Sequence, residues 1–144
     1  MPNLLWAICC RRPLVDSRTN SLSLIDVVED VHVVGGSGVI AEQTAVVTLW
    51  EKGSDCKNEE ETFELRLRFF DRNGTDLVPP FAKTYSIPKG NERLRNIYVV
   101  AGLPVKEAGD YHWVIELRRN DEWAEMARVK IRVKAVNLPP PPAE

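Results

Sequence analysis

The chain has 144 residues, of which 44% are hydrophobic and 28% charged, and its formal net charge is −2. That is the size and balance of one globular domain with its own core. The charge supplies no overall basic field for nucleic acid or anionic lipid, and no apolar run approaches the ~20 residues of a membrane helix, so both partner classes are set aside.

In chain order, "LLWAICC" comes first and reads as a buried strand. Arg11 and Arg12 follow this apolar stretch instead of preceding it, and no small-x-small site closes it, which argues against a secretion signal. Cys9 and Cys10 would point to opposite faces of a strand, and Cys56 stands alone; three free thiols fit a reducing, cytoplasmic setting. "SLSLIDVVEDVHV" is a long second strand whose alternation slips near Leu24–Ile25, which predicts a bulge or a bend between sheets. "GGSG" at 35–38 marks an exposed loop over 34–43. "TAVVTLWE" is the third strand, and "EKGSDCKNEEE" at 51–61 is a polar, acidic loop.

The clearest alternation follows. In "TFELRLRFF", Phe63, Leu65, Leu67 and Phe69 share one face while Glu64, Arg66 and Arg68 share the other. Burying those four side chains contributes about 1.5–3 kcal/mol each before entropy is subtracted. "DRNG" ends the strand as a turn. "AKTYSI", flanked by prolines, is at best a short edge strand, and "RLRNIYVVAG" is a further strand. Tyr111, Trp113, Ile115 and Leu117 alternate with polar neighbours, "RNDE" turns, and Trp123, Ala127, Val129, Ile131 and Val133 share a parity against Arg128, Lys130, Arg132 and Lys134. These runs read as a closing hairpin with its basic residues outward. Residues 138–144, "LPPPPAE", cannot join a sheet and read as an extended or disordered tail on a domain spanning 1–137. The pattern as a whole predicts an all-β fold of about seven to nine antiparallel strands.

"EAGDYHW" resembles the tyrosine corner of immunoglobulin-like sandwiches. The resemblance implies Greek-key crossovers, with Gly109 and Asp110 forming the turn, Tyr111 bonding back to upstream backbone, and Leu103 plugging the core below. Trp113 stands where antibody domains carry a cysteine, so the resemblance does not extend to their disulfide. Over nearly the whole chain, "SLSLIDV" and "AGDY" also resemble recurring segments of a family of small, uncharacterised bacterial β-sandwich proteins. That resemblance implies a fold and carries no catalytic residues.

Candidate chemistry is sparse. Ser21 or Ser23 with His32 and Asp30 has the residue types of a hydrolytic triad, but residues of one strand do not converge on a substrate. The cysteines lack metal-ligand spacing, and the acids Asp55, Glu59, Glu60 and Glu61 lack the pattern of a calcium loop. No cofactor, metal or catalytic residue is therefore expected. Trp50 has parity opposite to Val47 and Leu49 and reads as a surface aromatic able to stack on a sugar. The reading is a non-enzymatic protein-binding or scaffolding module. Its loops 34–43 and 51–61, or a sheet edge, would meet a protein partner, a second copy of the chain among the candidates. A carbohydrate-binding module using Trp50 is the alternative.

Overall fold

The computed structural model of the chain describes residues 1–137, 139 and 141–143. Eleven strands run through it: β1 Asn3–Val15, β2 Leu22–Val27, β3 Asp30–Val34, β4 Gly38–Ile40, β5 Thr44–Glu51, β6 Glu61–Phe70, β7 Phe81–Ile87, β8 Arg93–Val100, β9 Leu103–Val105, β10 Gly109–Arg119 and β11 Glu122–Val136. Among the described residues the one helical element is a 3-10 turn, Ser54–Cys56. Among the described residues no helix is long and apolar enough to cross a membrane. Within the tail, Pro139 and residues 141–143 are exposed and lack regular structure; residues 138, 140 and 144 lie outside the described residues.

The strands form a four-stranded sheet, β2-β1-β5-β8, a five-stranded sheet, β3-β11-β10-β6-β7, and a two-stranded ladder, β4-β9. All ladders are antiparallel except β3 with β11. The slip foreseen in the second strand is a change of sheet: β2 belongs to the four-stranded sheet and β3 to the five-stranded one. Asp26, at φ 55, sits near the end of β2 just before the switch. A single core lies between the two large sheets. Cys9, Val46 and Trp50 enter it from one side, and Phe63, Leu65, Leu67, Phe69, Tyr111, Trp113, Ile115 and Ile131 from the other.

A second, smaller apolar cluster lies on the outward face of the four-stranded sheet. Cys10, Ala45 and Val47 are its buried residues, and Trp6, Leu22 and Leu24 pack against them. Leu22 and Leu24 reach this position because the far half of the β1–β2 hairpin folds back over the sheet. Arg95 of β8 donates to the carbonyl of Asn20 in the hairpin turn at 3.1 Å. Val15 and Asn20 of the same hairpin line one surface cleft together with Leu49 and Ile97. β5 is therefore covered on both faces, which accounts for its near-continuous apolar sequence.

One expectation for the closing hairpin is corrected. Trp123 does not enter the core: it is half-buried on the outward face, with the Arg66 guanidinium 4.5 Å above its ring. The β10–β11 register shifts between Ile115 and Glu116, so Ile115 faces Ala127 while Glu116 faces Glu125. The extra residue in β11 sends the side chains before it to the opposite face.

Candidate binding surface

Tyr111 is buried at the entry to β10. Its hydroxyl donates to the Glu107 carbonyl at 2.7 Å and accepts from the backbone N–H groups of Lys106 and Glu107, each at 3.2 Å. The ring stacks on Phe69 at 5.7 Å, and Leu103 is buried as expected. Gly109 opens the strand at φ +146, a backbone angle that other residues adopt only under strain. Asp110 faces solvent, where Arg132 Nε at 3.2 Å holds its carboxyl below the usual carboxylate range. These three residues fasten a connection; they do not converge on a ligand.

Trp50 is not a surface aromatic. It is fully buried, its indole N–H donates to Thr48 Oγ1 at 3.0 Å, and its ring lies 5.6 Å from Phe63 of the facing sheet. Val47 belongs to the face beneath the hairpin, and Trp50, of opposite parity, takes the core. No sugar can reach its ring.

The 51–61 loop is tied down from within. Lys52 is buried, and its ammonium donates to the carbonyls of Glu59 at 2.6 Å and Pro88 at 2.9 Å. Glu61 is also buried and accepts from Gly53 N–H at 2.8 Å. Asp55, Cys56 and Glu61 bring their ligand atoms within 4.8 Å of one another, and the Met1 ammonium sits 3.0 Å from Glu61 and 3.3 Å from Asp55, paired with both acids. The 34–43 loop contains β4 and, with Arg11 and His32, borders an open cleft of about 470 Å³. His32 and His112 lie on different strands, β3 and β10; His32 shares the 34–43 cleft with Ser37 and Glu42, and neither Ser21 nor Ser23 is among the residues that line it.

The flank at which β7 and β8 end their sheets has a different character. Among the described residues each strand has one unpaired edge. Phe81 is 51% exposed, Ile97 38% and Val99 57%, so the flank presents large apolar side chains to solvent beside free backbone groups. Behind them, Tyr98 meets Phe81 and Tyr85 edge-on, with centroids at 6.0 and 6.3 Å, and this aromatic set bridges the gap between the sheets. Burial pushes the Tyr98 phenol above its usual range. Sequence reasoning took β7 for an edge strand but missed the flank, because its other half comes from β8, which looks like an ordinary interior strand.

Two solved structures with partial likeness to the chain are distant. A glycosyl hydrolase family 2 (GH2) member from Bacteroides cellulosilyticus DSM 14838 is 14% identical with a TM-score of 0.46; the match covers 78% of this chain and 17% of that one. This chain thus spans less than a fifth of the hydrolase. The PmoD soluble domain from Methylocystis sp. ATCC 49242 (Rockwell) is 10% identical with a TM-score of 0.32, over 92% of this chain and 97% of that one. Neither likeness bears on the role of this chain. No functionally curated protein gives a significant match. The profile of a family of unknown function, DUF6941, matches residues 14–134, and the chain belongs to that family.

Proposed function

We propose that the chain is a non-enzymatic protein-binding module that docks its partner along the free edge of β8, and that a second copy of the chain is such a partner. The observation that carries this reading is the exposure of Ile97 and Val99 on a strand with no neighbour on one side. A free edge offers a row of backbone donors and acceptors for strand addition, and the apolar side chains supply contact area. An antiparallel copy centred on Ile97 sets Val99 against Arg95 and Arg93 against Ala101, so no like charges meet across the join. At about 100 µM, size exclusion with light scattering is expected to give a dimer, and Val99→Lys a monomer of unchanged melting temperature. A wild-type chain that is strictly monomeric at that concentration overturns the reading.

The two large sheets are read here as an immunoglobulin-like antiparallel sandwich with Greek-key crossovers, and Tyr111 as its tyrosine corner. The three backbone bonds to the Tyr111 hydroxyl and the parallel β3–β11 pair support this. The free state of Cys9, Cys10 and Cys56 supports a cytoplasmic setting, and the resemblance of "SLSLIDV" and "AGDY" supports a bacterial one. Sugar binding is not proposed, because its candidate residue, Trp50, is enclosed in the core.

A further inference from the structure

The folded-back β1–β2 hairpin and the outward face of β8 border an open cleft of about 540 Å³, with Val15, Leu49, Arg93, Arg95 and Ile97 among its walls. Its charges are unevenly matched. The β5–β8 register sets Glu51 opposite Arg93, and the two pair at 3.6 Å. The same register sets Leu49 opposite Arg95, so Arg95 meets an apolar neighbour where Arg93 meets an acid. Four arginines are half-buried among the described residues: Arg11, Arg66, Arg68 and Arg95. The first three pair with Glu42, Glu116 and Asp76. Arg95 has no carboxylate partner among the described residues, and its one hydrogen bond runs from Nη2 to the Asn20 carbonyl. A guanidinium keeps its charge and carries five N–H donors, so holding it half out of water without an anion is unfavourable. Nε is enclosed and unpartnered. Nη1 also lacks a protein partner but is not enclosed, so it is the nitrogen that a molecule in the cleft can reach.

We propose that this cleft binds a small organic acid, whose carboxylate accepts hydrogen bonds from the Arg95 guanidinium and whose apolar body lies on Val15, Leu49 and Ile97. The ligand's charge follows from the arginine that lacks an acid, and its apolar part from the side chains around that arginine. A phosphate is disfavoured, because its second charge would call on Arg93, which Glu51 already holds. Arg95 then has two tasks: Nη2 holds the hairpin through Asn20, and Nη1 meets the ligand. The inference goes beyond the protein-docking reading and stands without it, since the cleft is built from one chain and lies on the outward face of the sheet, not along the β8 edge.

Three probes separate the parts of the proposal. 3-Phenylpropionate has both charge and apolar body, 3-phenylpropanamide has the body without the charge, and acetate has the charge without the body. The readout is the set of Val15, Leu49 and Ile97 methyl resonances in a carbon–proton correlation spectrum. 3-Phenylpropionate is expected to move them with a Kd on the order of 1 mM, and the amide and acetate to bind at least about ten-fold more weakly. Arg95→Gln keeps a donor for the Asn20 carbonyl but removes the charge, and is expected to weaken 3-phenylpropionate binding by about ten-fold or more. Ile97→Glu, at an exposed position two residues along the same face, supplies Arg95 with an acid from the chain itself and is expected to abolish binding while the protein stays folded. Unmoved methyl resonances at 10 mM 3-phenylpropionate, about ten times the expected Kd, overturn the proposal. So does equal binding of the amide, which would make the cleft merely apolar, or of acetate, which would make the anion adventitious. Undiminished binding in a folded Ile97→Glu protein overturns it as well.

Discussion

On the outward face of the five-stranded sheet, Arg68 pairs with Asp76 at 2.7 Å, Arg118 with Glu64 at 3.1 Å, Arg128 with Glu125 at 2.6 Å and Lys134 with Asp30 at 3.2 Å. Trp123 lies under the Arg66 guanidinium, sheltered by the arginine stem. On the outward face of the four-stranded sheet, Cys10, Ala45 and Val47 are as buried as the core, and the cover is the folded-back β1–β2 hairpin with Leu22 and Leu24 beneath it. Both sheets have an inward apolar face, but they protect their outward faces by different means. One uses long charged side chains and needs no further chain. The other uses backbone, and its stability depends on a hairpin held by a few apolar contacts and the Arg95–Asn20 bond.

The contrast breaks most sharply at β5. Val47→Asp places a carboxylate under the hairpin with no partner and is expected to cost about 3–5 kcal/mol in a denaturant titration. It should also speed proteolytic cleavage in the 16–21 turn, because the hairpin loses its seat. If the loss is under about 1 kcal/mol, the outward face of β5 is wet and the covering account is wrong. Tyr111→Phe acts on the crossover that both sheets share. It leaves the backbone groups of Lys106 and Glu107 without their phenolic partner and is expected to cost about 1–3 kcal/mol; a denaturation midpoint equal to wild type refutes the fastening role. The smallest effect belongs to the charged face. Arg128→Ala removes a solvent-screened pair whose partners are both close to half exposed, and the expected loss is about 0.2–1 kcal/mol, shrinking with added salt. A larger, salt-insensitive loss means that this ladder carries packing as well as charge.

Period-two alternation was enough to place the strands wherever one face of a strand is wet. β6 adds only Glu61 to the expected run, Thr62–Phe70. It misled where that condition fails. On β5 both parities are apolar because both faces are covered, so nothing local told Trp50's side from Val47's. The hairpin responsible lies more than twenty residues earlier in the chain, and only folding brings Leu22 and Leu24 over β5. At Trp123 the alternation is intact in the sequence, but one extra residue in β11 turns the face over. The 51–61 loop looked like a solvated acidic run because what ties it down is Lys52, a buried lysine within it whose partners are carbonyls, which leave no mark in a sequence. The β7–β8 flank was invisible for a related reason: strand order decides which strands are edges, and alternation does not reveal order.

The covering hairpin is tested most directly through Cys10. Its thiol is fully buried, burial raises its pKa, and it sits among Ala45, Val47, Leu22 and Leu24; Cys9, on the core side, is pushed up to about 12 by the same cause. In a Cys56→Ser background, a thiol reagent followed by peptide mapping is expected to leave both cysteines unlabelled in the native protein. Adding Leu24→Asp should make Cys10 react while Cys9 stays protected. Labelling of Cys10 at the rate of an exposed thiol in the Cys56→Ser protein alone would contradict the account.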